Sequence, residues 1–117
     1  MAYVWSFSPH NGGTPIPSKH HEIIRQRIFA RAEELEIPSK YRLDVRFRSQ
    51  FCYIDAYEND EKVPTHLCRL RYFNDLEKWT FSFYTYSNDQ YSPCVFPSGG
   101  WSGTPEDAFE ASRMYLT

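Results

Sequence analysis

Hydrophobic residues recur at two different periods along this chain, and the change between them comes at Tyr41. Upstream, Ile24, Ile28, Ala32 and Leu35 stand at helical spacing and predict a helix with one buried stripe over residues 19–36. Ser18 closes a Pro-rich stretch and reads as its N-cap, and Pro38 stops it. Basic residues lie early in this helix and acids late, an order that opposes the helix dipole, so packing must hold it. From Tyr41 onward, Leu43, Val45 and Phe47 alternate with Arg42, Asp44, Arg46 and Arg48, the period of a half-buried strand. The alternation then changes phase. Cys52, Ile54 and Ala56 become the apolar set, while Phe51, Tyr53, Asp55 and Tyr57 take the other side. A tight hairpin at Arg48-Ser49-Gln50 produces such a shift.

Three further strands follow. Residues 65–73 place His66, Cys68, Leu70 and Tyr72 on one face and Arg69 and Arg71 on the other. Residues 78–86 turn Trp79, Phe81 and Phe83 inward, with Thr80, Ser82, Tyr84 and Tyr86 opposite. In the fifth strand, 90–96, Pro93 demands an edge or a bulge. Thr104-Pro105-Glu106-Asp107 starts a last helix that ends near Leu116, with Thr as N-cap and Pro at the first position. Before the first helix, residues 2–8 alternate as a short strand, and a Pro- and Gly-rich loop runs to residue 17. The expectation is one α+β domain over 1–117: an arm at 1–17, a helix at 18–37, an antiparallel sheet of about five strands at 41–96, and a helix at 104–116. Both helices pack on one face and leave the other bare.

Length agrees with this, because 117 residues suit one core rather than two. The unusual quantity is the aromatic fraction of 18%, with nine Tyr, nine Phe and three Trp, more than a core of this size needs. A net charge of -2 gives the whole molecule no pull on nucleic acid, so such a partner is disfavoured unless a basic patch is local. Met1 to Phe7 lacks the basic and apolar regions of a signal peptide, and no run approaches a membrane span. Three widely separated cysteines fit reduced thiols better than a disulfide framework. A cytoplasmic protein is expected.

Three segments, Phe51-Cys52-Tyr53-Ile54-Asp55-Ala56-Tyr57, 65–73 and Phe83-Tyr84-Thr85-Tyr86-Ser87, resemble a group of small bacterial proteins of uncharacterised function. Those relatives carry a longer insertion where this chain has residues 58–64. The resemblance implies a single bacterial-type domain and brings no activity with it.

Candidate chemistry concentrates on the bare sheet face. Arg42, Arg46, Arg48, Tyr53, Tyr57, Arg69, Arg71, Tyr84 and Tyr86 are its candidate binding residues, five arginines against Asp44 and Asp55. Arginine takes carboxylates and phosphates bidentately, and tyrosine offers a stacking surface and a hydroxyl. The working expectation is a module that engages an acidic protein surface or another anionic partner. Aromatic and basic residues interleaved on a sheet also suit single-stranded nucleic acid or a nucleotide. The competing structural reading pairs the arginines with Asp44 and Asp55 across strands and leaves the tyrosines as cover. Helix–sheet–helix order brings double-stranded RNA binding to mind, but Glu106 and Asp107 at the start of the second helix repel phosphate.

Enzyme chemistry is less well supplied. His66 is the one candidate general acid–base, for an anionic substrate at the rim of the face. Cys52, Cys68 and Cys94 lack the close spacing of a structural zinc site, so neither metal nor cofactor is expected. A cysteine nucleophile at Cys52 or Cys68 fails because Asp55 and Cys52 fall on opposite faces. His20 and His21 read as surface residues, and Gly99-Gly100-Trp101-Ser102-Gly103 as a turning segment rather than a phosphate loop.

Overall fold

The computed structural model describes residues 12–116; the strand expected over 2–8 lies outside them. A short 3-10 turn, Ser18–His20, leads into helix α1, His21–Glu34, and strands β1 to β5 follow at Tyr41–Arg48, Phe51–Glu58, Thr65–Arg71, Thr80–Thr85 and Gln90–Cys94. Helix α2, Pro105–Ser112, ends in a second 3-10 turn, Arg113–Tyr115. The strands form one antiparallel meander in chain order, with β1 and β5 at its edges. This is the α+β architecture that the change of period predicts.

Local chemistry explains the joints. Arg48 pairs with Phe51, so Ser49 and Gln50 alone make the first hairpin, and Ser49 adopts a left-handed φ of 55° to close it. The Thr104 hydroxyl accepts from the Asp107 N–H at 3.1 Å, as its place before Pro105 predicts. Ser18 does not cap α1. It is the first residue of the 3-10 turn, and no side chain caps either helical start there. Trp79 and Gly103 exchange backbone hydrogen bonds at 2.7 and 2.9 Å, which bolts the loop before α2 to the start of β4. Gly103 must be glycine at that bolt: a Cβ would lie 2.7 Å from the Phe96 ring.

Ile24 and Ile28 of α1 and Ala108 and Phe109 of α2 are fully buried against Cys52, Ile54, Cys68, Leu70 and Phe81. Ala32 and Leu35 complete the stripe as half-buried neighbours, and Phe83 is half-buried at the margin of the same core. His21 is not a plain surface residue. Its ring stacks on Phe47 at 4.0 Å, and Arg25 lies over the same Phe47 ring while its Nε donates to the Val45 carbonyl. That bond occupies an edge carbonyl of β1.

Electrostatics does more for α1 than the order of its charges suggests. Arg27 grips Glu106 of α2 through Nε and Nη2 at 2.8 and 2.9 Å and Glu77 at 3.0 and 2.7 Å; Arg31 reaches Glu110 at 2.7 Å. The acids that open α2 are therefore spent on α1. Burial alone would raise the Glu106 carboxyl pKa, but hydrogen bonds and charge from Arg27 outweigh it and hold it below its ordinary 4.5. A lowered acid contributes stability in full above 4.5 and loses it as pH falls through the folded-state value. Arg27→Met should therefore lower neutral-pH stability by on the order of 1–3 kcal/mol and flatten the acid loss, both read from urea unfolding across pH. In the core, Phe81→Ala should cost ~3–5 kcal/mol in the same measurement, because its ring is 1% exposed and packs on Phe96 at 4.4 Å.

Candidate functional site

The outer sheet face is built in rungs by strand register. One rung carries Arg46, Tyr53, Arg69 and Ser82; a second carries Asp44, Asp55 and His66, with the Tyr84–Tyr91 pair beside it. A bulge sets the second rung. Ile54 pairs with Cys68 but Asp55 pairs with His66, so Leu67 is the extra residue and goes inward with Cys68. His66 therefore leaves the face of Cys68, Leu70 and Tyr72, where plain alternation places it, and stands opposite them beside Asp55. Cys52 and Cys68 remain in the core, both fully buried. Burial pushes both thiols up, Cys68 to about 12. Neither is placed to act with His66, and no three potential metal ligands gather among the described residues.

Asp55 is 1% exposed although it lies on the outer face. One carboxylate oxygen accepts from Arg46 Nη2 at 2.8 Å and the other from His66 Nδ1 at 2.9 Å. Arg46 also reaches Asp44 at 3.4 Å. Rings roof this cluster: His66 against Tyr84 at 4.7 Å, Tyr84 against Tyr91 at 5.1 Å, and Tyr53 against Tyr91 at 5.8 Å. Burial, then the Asp55 charge, pushes the Tyr91 hydroxyl well above its ordinary range. The Tyr86 hydroxyl, at the exposed end of β4, accepts from the His66 backbone N–H at 2.8 Å.

The arginines divide into two kinds. Arg46 is tied to aspartates, as cross-strand pairing predicts, and also lies over the Tyr53 ring at 4.9 Å. Arg42 and Arg69 are stacked without such a pair: Arg42 over Tyr57 at 4.5 Å, and Arg69 over Phe51 at 4.3 Å and Tyr91 at 5.0 Å. Arg69 has no carboxylate or hydrogen-bond acceptor among the described residues. Arg71 corrects an expectation of exposure. It is 7% exposed, lies over Phe51 at 4.6 Å and donates to the Gly12 carbonyl at 2.9 Å. Burial and the neighbouring Arg69 charge both lower its pKa. Thr80 and Ser82 are buried too, so the face is covered by its own long side chains rather than bare. Arg48 is exposed at the hairpin end.

Sequence reasoning assigned no role to Tyr91 or Phe51, which flank Arg69. The Tyr84–Tyr91 register is the signal for the first, and the phase of Tyr53 for the second. The two kinds of arginine should separate in unfolding experiments. Arg46→Ala strands the buried Asp55 charge and should cost on the order of 1–3 kcal/mol, discounted for the half-exposed arginine. Arg42→Ala should stay within ~0.5 kcal/mol, as an exposed cation over one ring does.

No helix among the described residues is long and apolar enough to cross a membrane. Comparison with protein-family models, with curated proteins and with solved structures finds no match to this chain.

Proposed function

We propose that the chain is a binding module whose outer sheet face takes an anionic partner, with Arg69 as the central anchor. One observation carries this reading: the Arg69 guanidinium lies over two rings, Phe51 at 4.3 Å and Tyr91 at 5.0 Å, and has no counter-ion among the described residues. Ring contacts occupy the faces of a guanidinium and leave its N–H edge, the part that grips a carboxylate or phosphate. Rings already hold the side chain, so little rotamer freedom remains to be lost on binding. Arg46, by contrast, is largely neutralised by Asp55 and Asp44. Buried free thiols at Cys52 and Cys68 support a reducing, cytoplasmic setting.

An acidic protein surface and a single-stranded nucleic acid both present the required oxyanions. The second is favoured by the aromatic residues of the face, of which Tyr86 is 52% exposed. Calorimetric titration with a polyglutamate peptide and with a single-stranded oligoribonucleotide separates them. At least one should bind, and more weakly as salt is added, because the contact is charged. Arg69→Met, which keeps an apolar stem between the rings, should weaken that binding by on the order of tenfold with an unchanged thermal midpoint. If neither probe binds, or the variant binds as tightly as the parent, the face is structural cover.

A further inference from the structure

His66 has the geometry of a backed base. Its Nδ1 donates to a carboxylate that is 1% exposed, and that bond fixes both the ring orientation and the tautomer. In the neutral ring Nε2 is then the acceptor, and it has no hydrogen-bond partner among the described residues. The second Asp55 oxygen is held by Arg46 at 2.8 Å, so the carboxylate cannot swing away. The backbone is held as well, since Tyr86 receives the His66 N–H. The imidazole remains half-exposed, with 31% of its side chain open to solvent.

The stacked cation stands close by. His66 and Arg69 both approach the Tyr91 ring, with its centre 6.5 Å from the imidazole centre and 5.0 Å from the guanidinium carbon. They project from neighbouring rungs of one face. A proton acceptor and an oxyanion clamp thus flank one aromatic ring.

We propose that this face cleaves single-stranded RNA by internal transphosphorylation, with His66 as general base and Arg69 as the phosphate clamp. The proposal rests on the reading of Arg69 as an oxyanion anchor. His66 Nε2 takes the proton of a ribose 2′-hydroxyl, and the 2′-oxygen attacks the adjacent phosphorus. The bond from phosphorus to the 5′-oxygen breaks, that oxygen takes a proton from water, and the imidazolium returns its own proton to solvent. The products are a 2′,3′-cyclic phosphate and a 5′-hydroxyl. No electron donor, electron acceptor or hydrolytic water is consumed. Arg69 neutralises the charge that grows on the non-bridging oxygens, where a cation is worth most. Asp55 is a positioning residue that acts through the imidazole. The overall charge of -2 is compatible with this chemistry, because one phosphate is held locally and the strand need not be tracked electrostatically. The log–log salt slope of binding should accordingly be shallow, close to −1 for one or two phosphates.

The test uses the full chain with an end-labelled single-stranded RNA and a DNA of the same sequence. RNA should be cut, in chelator as well as without it, and DNA should not, since it lacks the attacking hydroxyl. Mass spectrometry should find the cyclic phosphate. His66→Asn keeps a donor for Asp55 and removes the base. It should retain binding and the native unfolding midpoint while losing about a hundredfold or more in cleavage rate. His66→Gln, the second variant, covers the case in which Asn does not fold. Arg69→Met should weaken RNA binding about tenfold and lower the cleavage rate with it. RNA that binds but is never cut overturns the cleavage step and leaves the oxyanion anchor intact. Cleavage that survives in both His66 variants, or that vanishes with chelator, overturns it as well. If the RNA does not bind at all, the proposal falls, and polyglutamate binding then decides whether the anchor itself stands.

Discussion

A carboxylate cannot leave water without donors, and Asp55 does so on the outer face of a sheet, at 1% exposure. Much of that face follows from satisfying it. Arg46 must reach across from β1, so the charge of that arginine is consumed. His66 must lie opposite on β3, and the strand can deliver it only by bulging at Leu67. Once the bulge is made, Leu67 and Cys68 both turn inward and the imidazole turns out. Tyr84, Tyr91 and Tyr53 then cover the Asp55 carboxylate, while the outer parts of His66 and Arg46 stay open to solvent. A single buried charge thereby fixes the register of β2 against β3 and the disposition of the aromatic roof.

On the opposite side, helices must be held over the same sheet, and their pairing uses charge in a different way. Arg27 and Arg31 meet acids 79 positions away in the chain, at the start and end of α2. These contacts lie over the buried row of Ile24, Ile28, Ala108 and Phe109, so apolar area supplies the attraction and the ion pairs select which faces meet. The placement of acids at the α2 start also complements its dipole. The same residues that make this helix unsuited to phosphate make it suited to α1.

Where alternation runs unbroken, the fold was legible in the chain. Leu43, Val45 and Phe47 against Arg42, Asp44 and Arg46 define β1, and the phase shift to Cys52, Ile54 and Ala56 defines the hairpin. The Thr104-Pro105 start was equally plain, since capping is local chemistry. The site was legible only in part. Its arginines and tyrosines were recognisable as one face, but Leu67-Cys68, two apolar residues in succession, hid a bulge inside a strand that otherwise alternates. Plain alternation consequently puts His66 with the cysteines. Pro93 obscures the pattern of β5 and with it the place of Tyr91. The contacts of Arg27 and Arg31 join distant segments, and no local period encodes them.

Two ways of stabilising arginine coexist on this face, and they have opposite chemical consequences. Pairing with aspartate, as at Arg46, satisfies the N–H edge and cancels the charge. Stacking on rings, as at Arg69 and Arg42, holds the same side chain through its planar faces and leaves edge and charge available. Near Arg42 the acids Asp44, Asp60 and Glu61 line the adjoining cleft and outnumber its cations, Arg42 and Lys62, so the local charge there disfavours an anion. Near Arg69 the neighbours are Phe51, Tyr53, Tyr91 and Arg71. In the proposed reading, the asymmetry between these two stacked arginines is what would direct an anion to the centre of the face, beside the imidazole that Asp55 holds in place.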